Sequence, residues 1–416
     1  MPQALADLDL AMFDKSIDAL APGDVLARTV FDAGGRPLLK SGTTLTDSYI
    51  ERLRRRGYAA VAVGDGLADD IVPETLVSEQ LRHTIATHVG GIFGEVGEVA
   101  RERGRGEGGV DEAVEDLGDQ PLPMADRGRA AMERLYADVQ TLINEIMASD
   151  TVAGLESLKS HNEYTFQHSV DVAVTGTLLG SRMGLSGNRL RELALGCLLH
   201  DLGKLYIEQA ILDKPGKLSG EEYDAVQAHP RMGFELIRRM PVASLLPAHV
   251  AYQHHEQQRG SGYPQGLVGD NHIGPRLHEE RIGAGKMLLI AEIGAVADVH
   301  SAVTSDRPYR AAMAPDTAVE LVSSMGGKHL NREVVQLFSR LVPRYPIGRW
   351  VELAGGEFDG ARGVVTELHV LRMDRPKVRV LLDAQGEQLA SPAELDLREL
   401  HELCLRSLSP QEQPTR

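Results

Sequence analysis

The chain has 416 residues, 42% hydrophobic and 25% charged, and its 44 basic against 60 acidic side chains leave a formal net charge of −16. That length predicts two or three domains rather than a single core, and the composition excludes a disordered or collagen-like chain. The acidic balance argues against a protein that grips DNA or RNA by its phosphates, and two distant cysteines, Cys197 and Cys404, exclude a disulfide scaffold and point to a reducing cytoplasm.

The N-terminus lacks the basic start and apolar run of a signal peptide. The most apolar stretch, Met287 to Val303, contains Glu292, Asp298 and His300 and is too short and polar to span a bilayer. No membrane association is expected. Residues 16–64 read as a small ββαβ unit. Val25 to Phe31 has strand character, Gly34-Gly35 supplies a turn, and Arg36 to Lys40 returns as a second strand. Thr46 can cap a helix over Asp47 to Arg56, with Gly57 as its stop, and Ala59 to Val63 reads as a buried strand.

Residues 65–128 read as a helix over 75–103 followed by a connection. Arg101 to Gly128 is rich in glycine and charge and lacks steady apolar periodicity, which predicts a flexible linker. From Arg129, Met132, Leu135, Val139, Leu142 and Ile146 recur at helical spacing. Most of the chain to residue 342 continues in that pattern. Ser219 and Glu222 form a capping box before a helix running toward His229. Asp316 is the expected cap of a helix stopping at Gly326-Gly327, and Asn331 of another ending before Pro343. From Trp350 the texture changes to short strands separated by Gly and Asp turns. The expected fold is therefore mainly α: a helical core over 129–345, flanked by the N-terminal α+β unit and a small antiparallel β unit over 346–405, with 406–416 as a disordered tail.

Histidine is uneven. Ten of the fifteen lie between residues 161 and 300, which places the chemistry there. The strongest local signal is His200-Asp201-Leu202-Gly203-Lys204, at the end of an apolar helix carrying Leu190, Leu193, Ala194, Cys197 and Leu198. An imidazole nitrogen and a carboxylate oxygen can hold one metal ion between them, and Lys204 adds positive charge where a phosphate could sit. The pair has company. His168 lies upstream, His229 follows the capped helix, His254-His255 closes a further helix, and Asp298 sits in an apolar helix. Two divalent ions would want about this many histidines and carboxylates, with one carboxylate shared.

These residues resemble the HD-GYP proteins of the HD phosphohydrolase superfamily. The resemblance covers roughly residues 130 to 345. It is carried by Glu163 to Ser169, the His200 to Lys204 motif, Ile211 to Leu218, His229-Pro230, His254-His255-Glu256, Gly260 to Pro264 and Thr304 to Arg310. It implies an HD-type, metal-dependent phosphodiesterase that opens cyclic di-GMP to pGpG and often onward to GMP, by attack of a hydroxide generated between two metals. The metal ligands it implies are His168, His200, Asp201, His229, His254, His255 and Asp298, with Asp201 shared between the ions. Phosphate contacts fall on Lys204, Arg307 and Arg310, and Asp201 and Lys204 carry the catalytic role. Gly262, Tyr263 and Pro264 shape a loop beside the site, implicated in some relatives in contacts with diguanylate cyclase (GGDEF) proteins. Iron or manganese is the expected metal in a bacterial, cytoplasmic signalling enzyme.

The chain also departs from the family pattern. Tyr164 stands where members with a third metal carry a Glu, which favours two metals. His300 and Ser301 replace a Tyr and an Asp, leaving His300 as either an extra ligand or a packing residue. The segment around 273–287 is longer than usual and reads as either a lid or a surface loop. Two alternatives follow: a catalytically weak receptor for the dinucleotide, or a hydrolase of another cyclic dinucleotide or phosphate ester. A homodimer is left open.

Overall fold

In this computed structural model, residues 12–27, 29–31, 37–58, 60–64, 71, 75–102, 110–124, 126–149, 166–278, 285–305, 312–370, 372–408 and 412 are described. The N-terminal unit runs β1 (Met12–Ser16), β2 (Val30–Phe31), β3 (Pro37–Leu39), α1 (Asp47–Arg55) and β4 (Ala60–Gly64). β1 pairs antiparallel with β4, and β2 with β3. β1 has no counterpart in the sequence reading, because its partner lies at the far end of the unit and no local turn announces it. The strand expected over Val25 to Phe31 is confined to its last two residues, while Val25 and Leu26 make single bridges to Thr44 and Val63. The Gly34-Gly35 turn lies outside the described residues. Thr46 caps α1 by accepting from the Tyr49 nitrogen, and Gly57 takes a φ of 80°, the left-handed stop that glycine adopts at no steric cost. Ile50 and Leu53 turn inward onto Leu26, Val61 and Val63.

Next come α2 (Glu79–Glu102), α3 (Val110–Leu117) and α4 (Asp126–Ala148). Within the flexible linker expected over Arg101 to Gly128, of which residues 103–109 and 125 lie outside the described residues, residues 110–117 instead form α3. Its apolar residues Val110, Ala113, Val114 and Leu117 stand at i, i+3, i+4 and i+7, a period hidden by the surrounding charge. Ala113, Leu117, Leu122 and Met124 are buried. The segment is pinned to a later helix, since the Leu122 nitrogen donates to the Arg239 carbonyl at 3.0 Å and Arg239 donates to the Gly118 carbonyl at 2.6 Å.

The central helices are α5 (Gln167–Arg182), α6 (Gly187–Leu199), α7 (Gln209–Leu212), α8 (Gly220–Gln227), α9 (His229–Ile237), α10 (Leu246–Gln253), α11 (Leu289–Thr304), α12 (Pro315–Met325) and α13 (Arg332–Leu341). α5 packs on α6 and α11, and α10 packs on α6, α9 and α11. α5 and α11 are buried nearly all round, as helices at the middle of a core must be: Ser169 through Gly180 of α5 are all buried. The Ser219–Glu222 capping box is formed in both directions. Asn331 caps α13 by accepting from the Glu333 and Val334 nitrogens. Asp316 does not cap α12. Ala314 holds the cap position with Pro315 behind it, because proline's fixed φ suits the first helical turn. Asp316 instead accepts from the Ser407 nitrogen at 3.2 Å, tying the helical core to the C-terminal sheet.

That sheet comprises β5 (Trp350–Ala354), β6 (Arg362–Glu367), β7 (Lys377–Leu382), β8 (Gln388–Asp396) and β9 (Cys404–Ser407), all antiparallel in the order β8-β7-β6-β5-β9. β9 and the buried Leu408 carry the ordered unit past the boundary expected at 405. Met373 and Leu368, between β6 and β7, reach into the helical core. No helix among the described residues is long and apolar enough to cross a membrane.

Candidate metal centre

Four helix ends and one helix middle converge in the core. His168 is the second residue of α5 and Asp298 lies within α11. α6 ends at Leu199, so His200 and Asp201 fall on the exit, and a 3-10 turn over Leu202–Tyr206 follows. Adjacent residues of a continuing helix point about 100° apart. Here Asp201 has φ −93° and ψ 5°, which swings its carboxylate back beside the His200 ring. His200 Nε2 and Asp201 Oδ2 are 3.4 Å apart. His229 opens α9, and His254-His255 follow the last residue of α10 with their rings 4.1 Å apart.

Three histidines share one device. His200, His229 and His254 each donate Nδ1–H to the carbonyl three residues earlier: Cys197 at 2.8 Å, Val226 at 2.7 Å and Ala251 at 2.8 Å. Those carbonyls stand in last turns, where helices leave them without an internal partner. The bond fixes the tautomer and leaves a bare Nε2 lone pair. The His200 Nε2 is buried and finds no hydrogen-bond partner among the described residues. The His229 and His254 Nε2 atoms face each other at 3.2 Å. Two lone pairs in that position cannot hydrogen-bond, and a cation beside them turns the repulsion into ligation. The donor set therefore fits divalent metal.

Three groups of residues could each hold an ion, their ligand atoms lying within 4.8 Å of one another: His229, His254 and His255; His168, His200 and Asp298; and His200, Asp201 and His254. Together they are the seven residues singled out from the sequence. Asp298 Oδ1 lies 3.1 Å from His168 Nε2 and 3.7 Å from His200 Nε2. Asp201 turns Oδ2 toward His200 and His168, 4.0 Å from the latter, and Oδ1 toward His229 at 3.6 Å. Its two oxygens thus face different histidine groups. Lys204 donates to Asp201 Oδ2 at 2.6 Å, with its side chain 36% exposed at the edge of the cluster. Arg307 and Arg310 lie outside the described residues, as do Glu163 and Tyr164.

His300 is not in any of these groups. It is buried, with its ring 4.9 Å from that of Phe338, which is the packing role. Ser301 lies closer to the chemistry: its hydroxyl is 2.9 Å from His168 Nδ1, so the fourth histidine is oriented from a neighbouring helix. Sequence reasoning marked Ser301 only as a departure. Its position one turn below Asp298 on the same helix face was the available signal.

Burial sets the titration of three histidines of the cluster. It depresses His229 to about 3, against attraction from Asp201, and holds His254 and His255 below the usual histidine value. Burial alone would raise the Asp201 carboxyl, but attraction to His200, Lys204, His229 and His168 outweighs it and keeps the group well below the carboxylate range. Asp298 behaves alike, with the His168 hydrogen bond opposing burial. A pH dependence follows for metal-free protein. Between about 6.5 and about 3 the unfolded chain protonates His229 and the folded chain does not, so stability falls as pH falls through that window. Urea midpoints of chelator-treated protein are expected to drop from pH 7 to 4, and the slope is expected to be shallower in His229→Gln. A flat profile in both would contradict this account.

The loop after the double histidine is folded onto it. The Glu256 carboxylate accepts from the Gln265 and Leu267 nitrogens at 2.7 and 2.8 Å, and the Tyr263 ring stacks on His255 at 4.8 Å. Gly262 is required there. A Cβ would overlap the Gln257 nitrogen and lie 2.5 Å from the Glu256 Cα and the His255 carbonyl oxygen. The longer segment around 273–287 is held where it is described. Arg276 is buried and donates to Glu292 at 2.6 Å and to the Met287 carbonyl at 2.6 Å, while Gln258 donates to the same Glu292 at 2.7 Å. Those ends are tied to α11, and residues 279–284 between them lie outside the described residues.

Residues 154–334 match the family model of the HD domain. Among curated proteins, the chain is 32% identical over 280 residues to a cyclic di-GMP phosphodiesterase, PA4108, of Pseudomonas aeruginosa, covering 64% of this chain and 63% of that protein. It is 35% identical over 168 residues to the cyclic di-GMP phosphodiesterase response regulator RpfG of Xanthomonas campestris, 39% of each chain. It is 37% identical over 159 residues to 3'3'-cGAMP-specific phosphodiesterase 3 of Vibrio cholerae, 38% of this chain and 31% of that one. The chain thus spans less than two thirds of the length of each of these relatives.

Proposed function

We propose that this chain is a metal-dependent phosphodiesterase hydrolysing cyclic di-GMP to pGpG and/or GMP. The observation that carries the reading is the convergence of bare histidine Nε2 atoms around two carboxylates in a buried cluster. The names of two relatives support the substrate. Two ions, iron or manganese, would be held by His168, His200 and Asp298 on one side and by His229, His254 and His255 on the other, with Asp201 facing both. Bound there, divalent ions supply Lewis-acid charge to a phosphodiester and activate water at neutral pH.

The chain's own groups do the rest. Burial holds His229, His254 and His255 below the usual histidine value, which keeps them able to ligate. Lys204 sets an ammonium at the edge of the cluster, where a non-bridging phosphate oxygen would lie. Tyr263, stacked on His255, forms one wall, and its loop of Gly262 to Pro264 is the candidate face for a diguanylate cyclase partner. Arg307 and Arg310 are assigned to the phosphates. The catalytic unit is taken as 129–345, between the 16–64 and C-terminal β units, in a cytoplasmic setting.

The test is chromatography of products after anaerobic incubation of Mn- or Fe-loaded protein with cyclic di-GMP and, in parallel, 3'3'-cGAMP, which a relative's name motivates. Appearance of pGpG or GMP supports the reading. No product from cyclic di-GMP with either metal overturns it, and cleavage of 3'3'-cGAMP alone moves the substrate assignment. Arg307→Ala is expected to keep wild-type metal content and lower kcat/KM about ten- to a hundredfold, the scale of one charge-assisted phosphate contact. Arg307→Lys should recover only part, because it keeps charge without the planar fork. Loss of metal in Arg307→Ala, measured by element analysis, would make this segment structural.

A further inference from the structure

α2 lies outside the segment matched by the HD domain model, yet it touches two of the backbone segments at the proposed metal centre, the start of α5 and the 3-10 turn that follows Asp201. Phe166 occupies the N-cap position of α5, two residues before His168, and makes no side-chain cap. The first turn of α5 is therefore held in place by packing. Phe166 supplies that packing against α2: its ring lies 4.8 Å from the Phe93 ring. A Cβ on Gly90 would come within 2.9 Å of Phe166 Cε2. One turn past His168, Asp171 is ion-paired to Arg82 of α2, and Gln167 donates to the same carboxylate at 3.3 Å.

Two turns along α2, roughly 10 Å from Gly90, Gly97 meets the other segment. A Cβ there would stand 3.6 Å from Leu205 Cδ2. Leu205 belongs to the 3-10 turn that follows Asp201 and contains Lys204. Glycine disfavours a helix interior; at Gly90 a larger residue would press on the Phe166 ring, while at Gly97 a Cβ would stand at ordinary van der Waals distance from Leu205 and only a side chain longer than that of alanine would crowd it. Gly94, between them on the same helix, has nothing within 4 Å of a Cβ.

We infer that α2 is a positioning element of the metal centre: its Gly90 and Gly97 contacts set the depth of Phe166 and Leu205, and through them the placement of His168 and Lys204. This rests on the metal-site reading above. It makes the first helix after the N-terminal unit part of the active-site framework, so a shift of α2 is felt at the ligands.

The test is a matched series in the full chain, Gly90→Leu, Gly94→Leu and Gly97→Leu, with Arg82→Gln as a variant that leaves the glycines intact. The readouts are Mn²⁺ affinity by chelator competition, metal per chain, melting temperature, and kcat and KM for cyclic di-GMP. Gly90→Leu is expected to weaken Mn²⁺ binding roughly 10- to 100-fold, the scale for losing support behind a ligand. Arg82→Gln should move in the same direction by less. Gly97→Leu should keep metal per chain and lower kcat/KM by a similar factor, and Gly94→Leu should match wild type in both.

If Gly90→Leu and Gly97→Leu match Gly94→Leu in Mn²⁺ affinity and kinetics, whatever their melting temperatures, the inference is overturned. It is equally overturned if Gly94→Leu loses as much as they do. Should Gly90→Leu not fold, Gly90→Ala and Arg82→Gln decide by the same Mn²⁺ readout. A wild-type chain that holds no Mn²⁺ would overturn the metal-site reading itself, whereas a metal-binding wild type with unaffected variants overturns only the role of α2.

Discussion

Asp201→Ala is expected to abolish turnover, by on the order of a thousandfold or more, and to lower metal content at the same time. The reason is its position. Oδ2 faces His200 and His168 while Oδ1 faces His229, so one deletion strips negative charge from both histidine groups. Imidazole ligands bring no negative charge, and the remaining ones cannot balance two divalent ions in a buried site. His168→Ala touches one group only and is expected to retain more metal than Asp201→Ala. Metal per chain alongside kcat separates the two, with circular dichroism confirming that both variants are folded. Full metal occupancy in Asp201→Ala would contradict a shared ligand.

The second large effect is expected at Gly203. The 3-10 turn after Asp201 presses directly on α9. A Cβ on Gly203 would overlap the His229 carbonyl oxygen and lie 2.5 Å from the Gly233 nitrogen. Both are backbone atoms, so no side-chain rotation relieves the clash, and the turn must separate from α9. Gly203→Ala is expected to cost about 1–3 kcal/mol or more of stability. It should also pull Asp201 away from His229 and so release metal. Gly220→Ala is the control: it lies in the first turn of α8, has nothing within 4 Å of a Cβ, and should be neutral or slightly stabilising. Urea midpoints and metal content of the two variants test this. A Gly203→Ala protein with wild-type values in both would show that the turn can move without consequence.

What could be read in advance follows the range of the interactions. Local signals carried far. Thr46 with Gly57, the Ser219–Glu222 box and Asn331 act within a few residues, and each helix they predict is found. The seven metal-site candidates were legible because histidines concentrate between residues 161 and 300 and the motifs around them resemble a known family. Weak or distant signals were lost. α3 has the right apolar period but only eight residues of it. Asp316 had the chemistry of a cap, yet Pro315 fixed the helix start and freed its carboxylate to hold β9.

By itself, the sequence determined that this protein has a mainly helical core with a concentrated set of histidines and carboxylates of the metal-ligating type. It also marked the seven candidates, since composition and motif are properties of neighbouring positions. Only the tertiary structure decided how they act together. It brought Asp201 between histidines from three other helices, turned the Nδ1 atoms of His200, His229 and His254 onto helix-end carbonyls, and set Ser301 behind His168. It also laid α2 across the turns that carry His168 and Lys204. These contacts join residues far apart in the chain, and their geometry is set by how deeply helices pack, which no local pattern encodes.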